Sequence, residues 1–524
     1  MVRRTCPECA RPEKIKPNLT MNHYLNFTPS QTLIRSLLTH TRNRCLPVAL
    51  FAILFFSCGE REQPVIETEP GAIRVYRENP WYFQYQGEPL LLLGASDYHN
   101  IFQRPDLIEH LDRMQSFGGN YVRNTMASRE LLPDHSDLWP YYIVERTDDP
   151  LINIYDLDRW NDEYWRRFAT MLEETHKRAI IVEIELWERH DTYRTRDQAG
   201  WLRHPYNPDN NINLSAEESG LPAGEWHDPW NHTGHPFFNS VPGLMDLPLV
   251  LRYQEAFIDK LLSYTIDYDH ILYNMNNETL EPVEFGKYWA RYLLEWALEN
   301  GKHIELTDMQ DNHNVTEEPV KRVMDSDLYT FVDISQNSFQ KGETHWERIG
   351  YIRRYLSGSP RPVTNVKIYG VDTAPPPDDF WGDTDDAIQR FWRNIIGGCA
   401  SARFHRPPWG LGLSDIAASN LKSLRMVTDS MDLFNHLPAN HLLSYRSYNE
   451  AYCMALEGNE YLIYFPAEGA VYLDALPGIY EILWIRTQIA GWQEPYTIEL
   501  PGYIETPDHD HWAVLIRKFD EDGR

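Results

Sequence analysis

This chain of 524 residues is poor in cysteine and poor in positive charge. It has six cysteines, and after residue 57 only Cys58, Cys399 and Cys453 remain. That is no disulfide framework, so the fold must hold without covalent staples. Cys6 and Cys9 form one lone C-x-x-C with no second pair behind it, which argues against a structural zinc site there. His204, His227, His232 and His235 are irregularly spaced and lack an H-E-x-x-H pattern, so no metal is expected, and no other cofactor. Lys and Arg number 49 against 77 Asp and Glu, a formal charge of −28. Such a surface repels the phosphates of nucleic acid and anionic lipid headgroups, and excludes both as expected partners. It leaves room for an anionic ligand in a locally basic cleft. Also missing are a P-loop, a G-x-S-x-G elbow and a dinucleotide fingerprint, which removes support for nucleotide, esterase and redox chemistry. No internal repeat of solenoid or propeller length is visible.

What the N-terminus does hold reads as an address. A stretch free of acidic residues, with Arg35, Arg42 and Arg44, leads into the apolar run LPVALFAILFF and then Ser57-Cys58-Gly59. The run is too short for a span of roughly 20 residues. A basic flank, a short apolar stretch and a small residue before a break predict a secretory signal over 1–57. A cysteine directly after the run looks like a lipoprotein processing box, with Cys58 the lipidated residue. The expectation is an exported protein, at the outer membrane or cell surface, periplasmic or secreted, that meets a membrane only through that anchor.

From about residue 89 short apolar runs alternate with helical patterns, the rhythm of βα units around a parallel sheet. The strands read as 89–96, 120–124, 180–187, 270–278, 303–308, 329–335, 362–370 and 400–405. Eight in this order predict a (β/α)₈ barrel over 59–435. The long segments 188–249 and 371–386, after the third and seventh strands, are expected as loops over the barrel mouth. After about residue 440 the pattern turns to period two, predicting a small all-β sandwich domain over 440–524. Aromatic content is 13%, with 17 Trp and 31 Tyr. That suits stacking on sugar rings, and equally suits a large barrel core.

In such a barrel the reactive groups stand at the C-terminal strand ends. Strand four ends in Asn277-Glu278, a carboxyl beside an amide able to hold a hydroxyl. Breaking a glycosidic bond needs one carboxyl as proton donor and a second carboxylate as nucleophile or base. Glu278 is the candidate acid/base, with burial and neighbouring carboxylates expected to keep it protonated. Asp372 and then Glu185 are candidates for the second carboxylate, followed by Asp97 and Asp333. Asn277, Arg123, Asn124, Trp187, Lys367, Tyr369, Arg403 and His405 are candidates to line the substrate site. Arg123, Lys367, Arg403, His405 and Arg406 come from strands two, seven and eight, a cationic wall that either complements carboxylates of the site or recognises a uronic or sulfated sugar.

The run NPWYFQYQGEPLLLLGAS, the Asn-Glu after strand four and the β-rich tail EYLIYFPAEGAVYLD resemble the clan A barrel glycosidases. Within the clan they are most similar to the apiosidase-like group, whose barrel precedes a small β-sandwich. The likeness covers roughly residues 74–518 and implies a glycoside hydrolase acting on a polysaccharide or oligosaccharide. One departure stands out. The clan places a nucleophilic Glu at the end of strand seven, where this chain reads Thr364-Asn365-Val366-Lys367-Ile368-Tyr369. Lys367 opens two alternatives: a carbohydrate-binding lipoprotein with a degenerate, non-catalytic barrel, or a polysaccharide lyase using Lys367 or His405 as base and Tyr369 as proton donor against a uronic acid.

Overall fold

The computed structural model describes residues 71–128, 138–148, 152–192, 200–226, 233–373 and 378–519. The leader 1–57, Cys58, and the loop histidines His227 and His232 lie outside the described residues.

All eight predicted strands form. They are β1 (Leu92–Ala95), β2 (Tyr121–Thr125), β3 (Ile181–Glu188), β4 (Ile271–Asn277), β5 (Glu305–Thr307), β6 (Val332–Asp333), β7 (Val363–Thr364) and β8 (Ser401–Phe404). Every residue of β3 and β4 is buried, the continuous burial expected of parallel strands covered on both faces. Six of them make one parallel sheet in the order β5-β4-β3-β2-β1-β8, and β6 pairs with β7. Backbone hydrogen bonds close the ring: Thr330 N–H donates to Leu306 O at 2.9 Å between β5 and β6, and Ala400 N–H to Val363 O at 2.7 Å between β7 and β8.

A helix follows each strand: α1 (Leu107–Ser116), α2 (Asp162–Lys177), α3 (Pro248–Thr265), α4 (Val283–Glu299), α5 (Glu318–Met324), α6 (Gly342–Tyr355), α7 (Thr384–Ile396) and α8 (Asp415–Thr428). Their starts are written locally. Asn161 caps α2 by accepting from Glu163 N–H, and Asp383 with Asp386 forms a capping box on α7. The helices bury apolar stripes, such as Phe391, Trp392 and Ile395 on α7, against the barrel. No helix among the described residues is long and apolar enough to cross a membrane.

The tail is all β. Strands β9 (Tyr452–Leu456), β10 (Glu460–Phe465), β11 (Ala470–Arg486), β12 (Tyr496–Glu505) and β13 (Trp512–Lys518) form one antiparallel sheet that bends where the β11–β12 register shifts between Leu473 and Gly478. Alternation divides its side chains. Tyr452, Met454, Leu462 and Tyr464 join the barrel core, while Cys453, Tyr461, Ile463 and Phe465 fill a core of the sheet's own. Trp392 of α7 stacks on Tyr464 with ring centroids 5.3 Å apart, and Arg446 pairs with Glu343 at the start of α6. The tail therefore packs against the barrel.

The described residues of segment 188–249 form a packed layer of short turns and rings. Trp201 stacks on His204 at 5.0 Å and meets His235 edge-on at 4.4 Å. Burial drives the His204 imidazole well below its ordinary pKa and that of His235 to about 3, so both are neutral rings in an aromatic cluster. Glu281, just past β4, ties the segment down by accepting from Gly234 N–H at 2.8 Å and His235 N–H at 3.1 Å. A cavity of roughly 40 Å³ remains between it and the barrel, lined by Trp139, Tyr141, Trp187, Tyr206 and Phe237.

Candidate active site

The site forms where β4, β7 and the end of β3 converge. Glu278 follows β4 directly and holds a left-handed backbone with φ 50°, an uncommon state for a residue with a long side chain. Its Oε1 accepts from Lys367 Nζ at 2.8 Å and from Tyr369 Oη at 2.9 Å. On its other side, Oε2 lies 3.7 Å from His190 Nε2. The neighbouring Asn277 is held from both ends, donating to Glu188 and accepting from Lys367. Glu188 also takes His190, with Oε1 2.6 Å from Nδ1. Three strand ends thus share one connected polar cluster.

Burial pushes the Glu278 carboxyl upward, but Lys367, His190 and Arg189 outweigh it and hold the group well below the ordinary carboxylate range. The expectation of a protonated Glu278 is corrected on this point: its neighbours are cations rather than carboxylates. Tyr369 is driven well above the usual phenol range, first by burial and then by the Glu278 charge, so it stays a hydrogen-bond donor. Burial, then the charges of Arg123 and Arg406, keeps His405 well below its ordinary value and neutral. The His405 ring lies edge-on to Tyr369 at 4.9 Å and to His99 at 5.0 Å.

Behind this cluster lies a second ion pair. Arg123 makes a two-pronged contact with Glu185 through Nε and Nη2, both 2.5 Å, and its Nη1 sits 2.6 Å from His99 Nδ1. Neither side chain of the pair has exposed surface. Glu185 is thus occupied within the barrel wall. Arg403 is fully buried as well and donates to Val366 O at 2.7 Å.

Other predicted residues fall elsewhere. Asp372 is exposed and accepts from Thr384 N–H at 3.1 Å, capping the start of α7. The chain turns away at Gly370, φ 118°, where an added Cβ would lie 2.4 Å from Asp383 O. Trp187 faces outward among Phe257, Phe285 and Trp289 of α3 and α4. Asn124 accepts from Phe102 N–H at 3.2 Å and braces the loop after β1. Asp97 caps Leu413 N–H at 2.7 Å, and Asp333 accepts from Ser335 N–H at 2.8 Å.

Several groups at the mouth stand outside the predicted set. Arg189 pairs with Asp311 at 2.5 Å beside Glu278. Phe339 lies 5.0 Å from the Tyr369 ring and 5.4 Å from Trp381, and Trp381 lies 6.2 Å from Trp409, an aromatic wall next to the carboxylate. Half-buried rings beside hydrogen-bonding groups suit a ligand with one apolar face and many hydroxyls. Glu188 is a strand-three end residue that the barrel rule itself selects, whereas the one sequence signal for His190 is its place in the cluster Trp187-Glu188-Arg189-His190.

No family model matches the chain, and no curated protein matches it. Solved structures do. A glycoside hydrolase family 5 structure from Bacteroides vulgatus ATCC 8482 is similar with TM-score 0.57 at 11% identity, over 86% of this chain and 94% of that one. A second structure, described as a glycoside hydrolase, is similar with TM-score 0.56 at 10% identity, over 87% and 98%. The barrel fold of this chain is therefore shared with these two glycoside hydrolase structures. At such identities the likeness is one of fold and singles out no subgroup.

Proposed function

We propose that this chain is a glycoside hydrolase and that Glu278 is its reactive carboxylate. The observation that carries the reading is the position of Glu278: at the C-terminal end of β4, on strained backbone, with Lys367, Tyr369 and His190 all directed at its two oxygens. Strained backbone concentrates where a structure holds a group for chemistry.

In the resting site Glu278 is ionised, the form that attacks an anomeric carbon or takes a proton from water. It serves as an acid/base group once a bound sugar hydroxyl draws Lys367 off its Oε1. Asn277 is the amide that orients a hydroxyl. The second acidic group is Glu188, which reaches Glu278 through His190; Glu185 and Asp372 are committed elsewhere. Tyr369, Phe339 and Trp381 form the ring-stacking wall. The substrate is a neutral rather than an acidic sugar, because Arg123, Lys367 and Arg189 each already face a carboxylate. The basic-then-apolar leader ending at Cys58 supports export and lipid anchoring.

The test is turnover of aryl glycosides and oligosaccharides by wild type and Glu278→Gln, with calorimetric binding alongside. The expected result is a loss of about 10²–10⁴ in kcat with binding retained, the range for a lost acid–base group. A second reading, a sugar-binding barrel without turnover, is favoured by one feature: Lys367, past the end of β7, sets its ammonium on the Glu278 carboxylate. Binding by wild type with no product would establish it. An unsaturated, ultraviolet-absorbing product would instead mean a lyase.

A further inference from the structure

On the face of the barrel opposite the mouth, three side chains from two distant segments come together. His176 stands in the last turn of α2, and Asp269 and His270 immediately precede β4. One ligand atom from each lies within 4.8 Å of the other two. We propose that His176, Asp269 and His270 bind a zinc ion, with water completing the coordination.

Four observations support the assignment. His176 Nε2 and Asp269 Oδ1 are 3.3 Å apart. That matches the edge of a tetrahedron with metal bonds of ~2.0–2.1 Å, whose corners stand roughly 3.3–3.5 Å apart. Second, His270 keeps a lone pair with nothing to accept. Thr175 Oγ1 donates to Met171 O at 2.7 Å, so it accepts from His270 Nε2 at 3.0 Å. The proton therefore sits on Nε2, and the buried Nδ1 is left without a hydrogen-bond partner. Third, Asp269 is braced from outside the triad: Tyr85 Oη donates to its Oδ1 at 2.9 Å, the kind of outer support that fixes a ligating carboxylate. Fourth, two imidazoles and one carboxylate form a donor set suited to zinc rather than to calcium or magnesium, which take oxygen.

A metal here would tie the end of α2 to the start of β4 and to the strand Phe83–Tyr85, far from Glu278. Its role is structural, and it is independent of the sugar chemistry.

The test uses the untagged full chain, stripped with EDTA and titrated with zinc chloride by calorimetry. Cobalt absorption reads the geometry, and thermal melting reads the stability. The expected result is one zinc per chain, a tetrahedral cobalt spectrum and a Tm raised by zinc. His176→Ala alters an exposed side chain and so leaves the fold intact; it should weaken zinc binding at least tenfold and abolish the Tm gain. A wild-type chain that binds no zinc, or a His176→Ala chain that binds it as tightly as wild type, overturns the proposal.

Discussion

Lys367 and Glu278 form an ion pair of 2.8 Å that joins the ends of β7 and β4 across the barrel mouth. A lysine so placed keeps a buried carboxylate charged, where burial alone would protonate it. The pair also decides which protonation state enters the reaction.

The first prediction concerns that state. Because the folded pKa of Glu278 is depressed, the pair's stabilising contribution is complete above the ordinary glutamate value of about 4.3 and is lost as pH falls through the depressed value. The acidic limb of kcat/KM should therefore lie below the ordinary carboxylate range. Lys367→Met removes the strongest opposing charge and should move that limb up by more than about one pH unit. An unmoved limb would show that another group titrates.

Arg123 and Glu185 give a second prediction. With neither side chain exposed, removing one partner strands a buried charge, at a cost of about 3–5 kcal/mol. Glu185→Leu should lower Tm sharply or prevent soluble expression. Arg123→Met combined with Glu185→Leu should recover much of the loss, as denaturant melts would show. Full stability with activity abolished in the single variant would return Glu185 to the catalytic set.

Asp308 tests the inner barrel by pH. It accepts from Asn276 Nδ2 at 2.8 Å, and burial raises its pKa to about 7. A carboxyl raised in the folded state holds its proton where the unfolded chain has released it. Stability should decline as pH rises from about 4 towards 7, then level off. Asp308→Asn, which cannot ionise, should flatten that decline and melt higher than wild type at pH 8.

The stacked pair Trp392 and Tyr464 joins barrel to tail. Trp392→Ala should cost about 3–5 kcal/mol, the range for deleting a large buried aromatic. The measurement is the denaturant midpoint, with Trp492→Ala, on a half-buried ring, as the milder control.

Much of this architecture could be read from the residues alone. Two-residue strands such as Val332–Asp333 were still locatable, because YTFVDIS is an apolar run set between helical patterns. The barrel rule brought Asn277, Glu278, Lys367 and Tyr369 to one end. The phase of β3 was harder to read. Glu183 and Glu185 alternate with Ile184 and Leu186, so a regular strand would turn Trp187 inward with the two glutamates, but the alternation breaks after Glu185. Trp187 went out to the helices and Glu188 in to Asn277. Asp372 was misplaced for a related reason: a strand-end carboxylate looks catalytic until a turn such as that at Gly370 carries it to a helix cap. Partnership was invisible as well, since nothing in the sequence pairs Glu185 with Arg123.

The backbone of Glu278 has one more implication. A long side chain such as glutamate's is held there against its preference, at about 1–3 kcal/mol. Glycine or asparagine would relax at that point, so a variant selected only for thermal robustness should drift toward them and discard the carboxylate. Retention of an acid at position 278 across natural variants would then record selection for chemistry over durability.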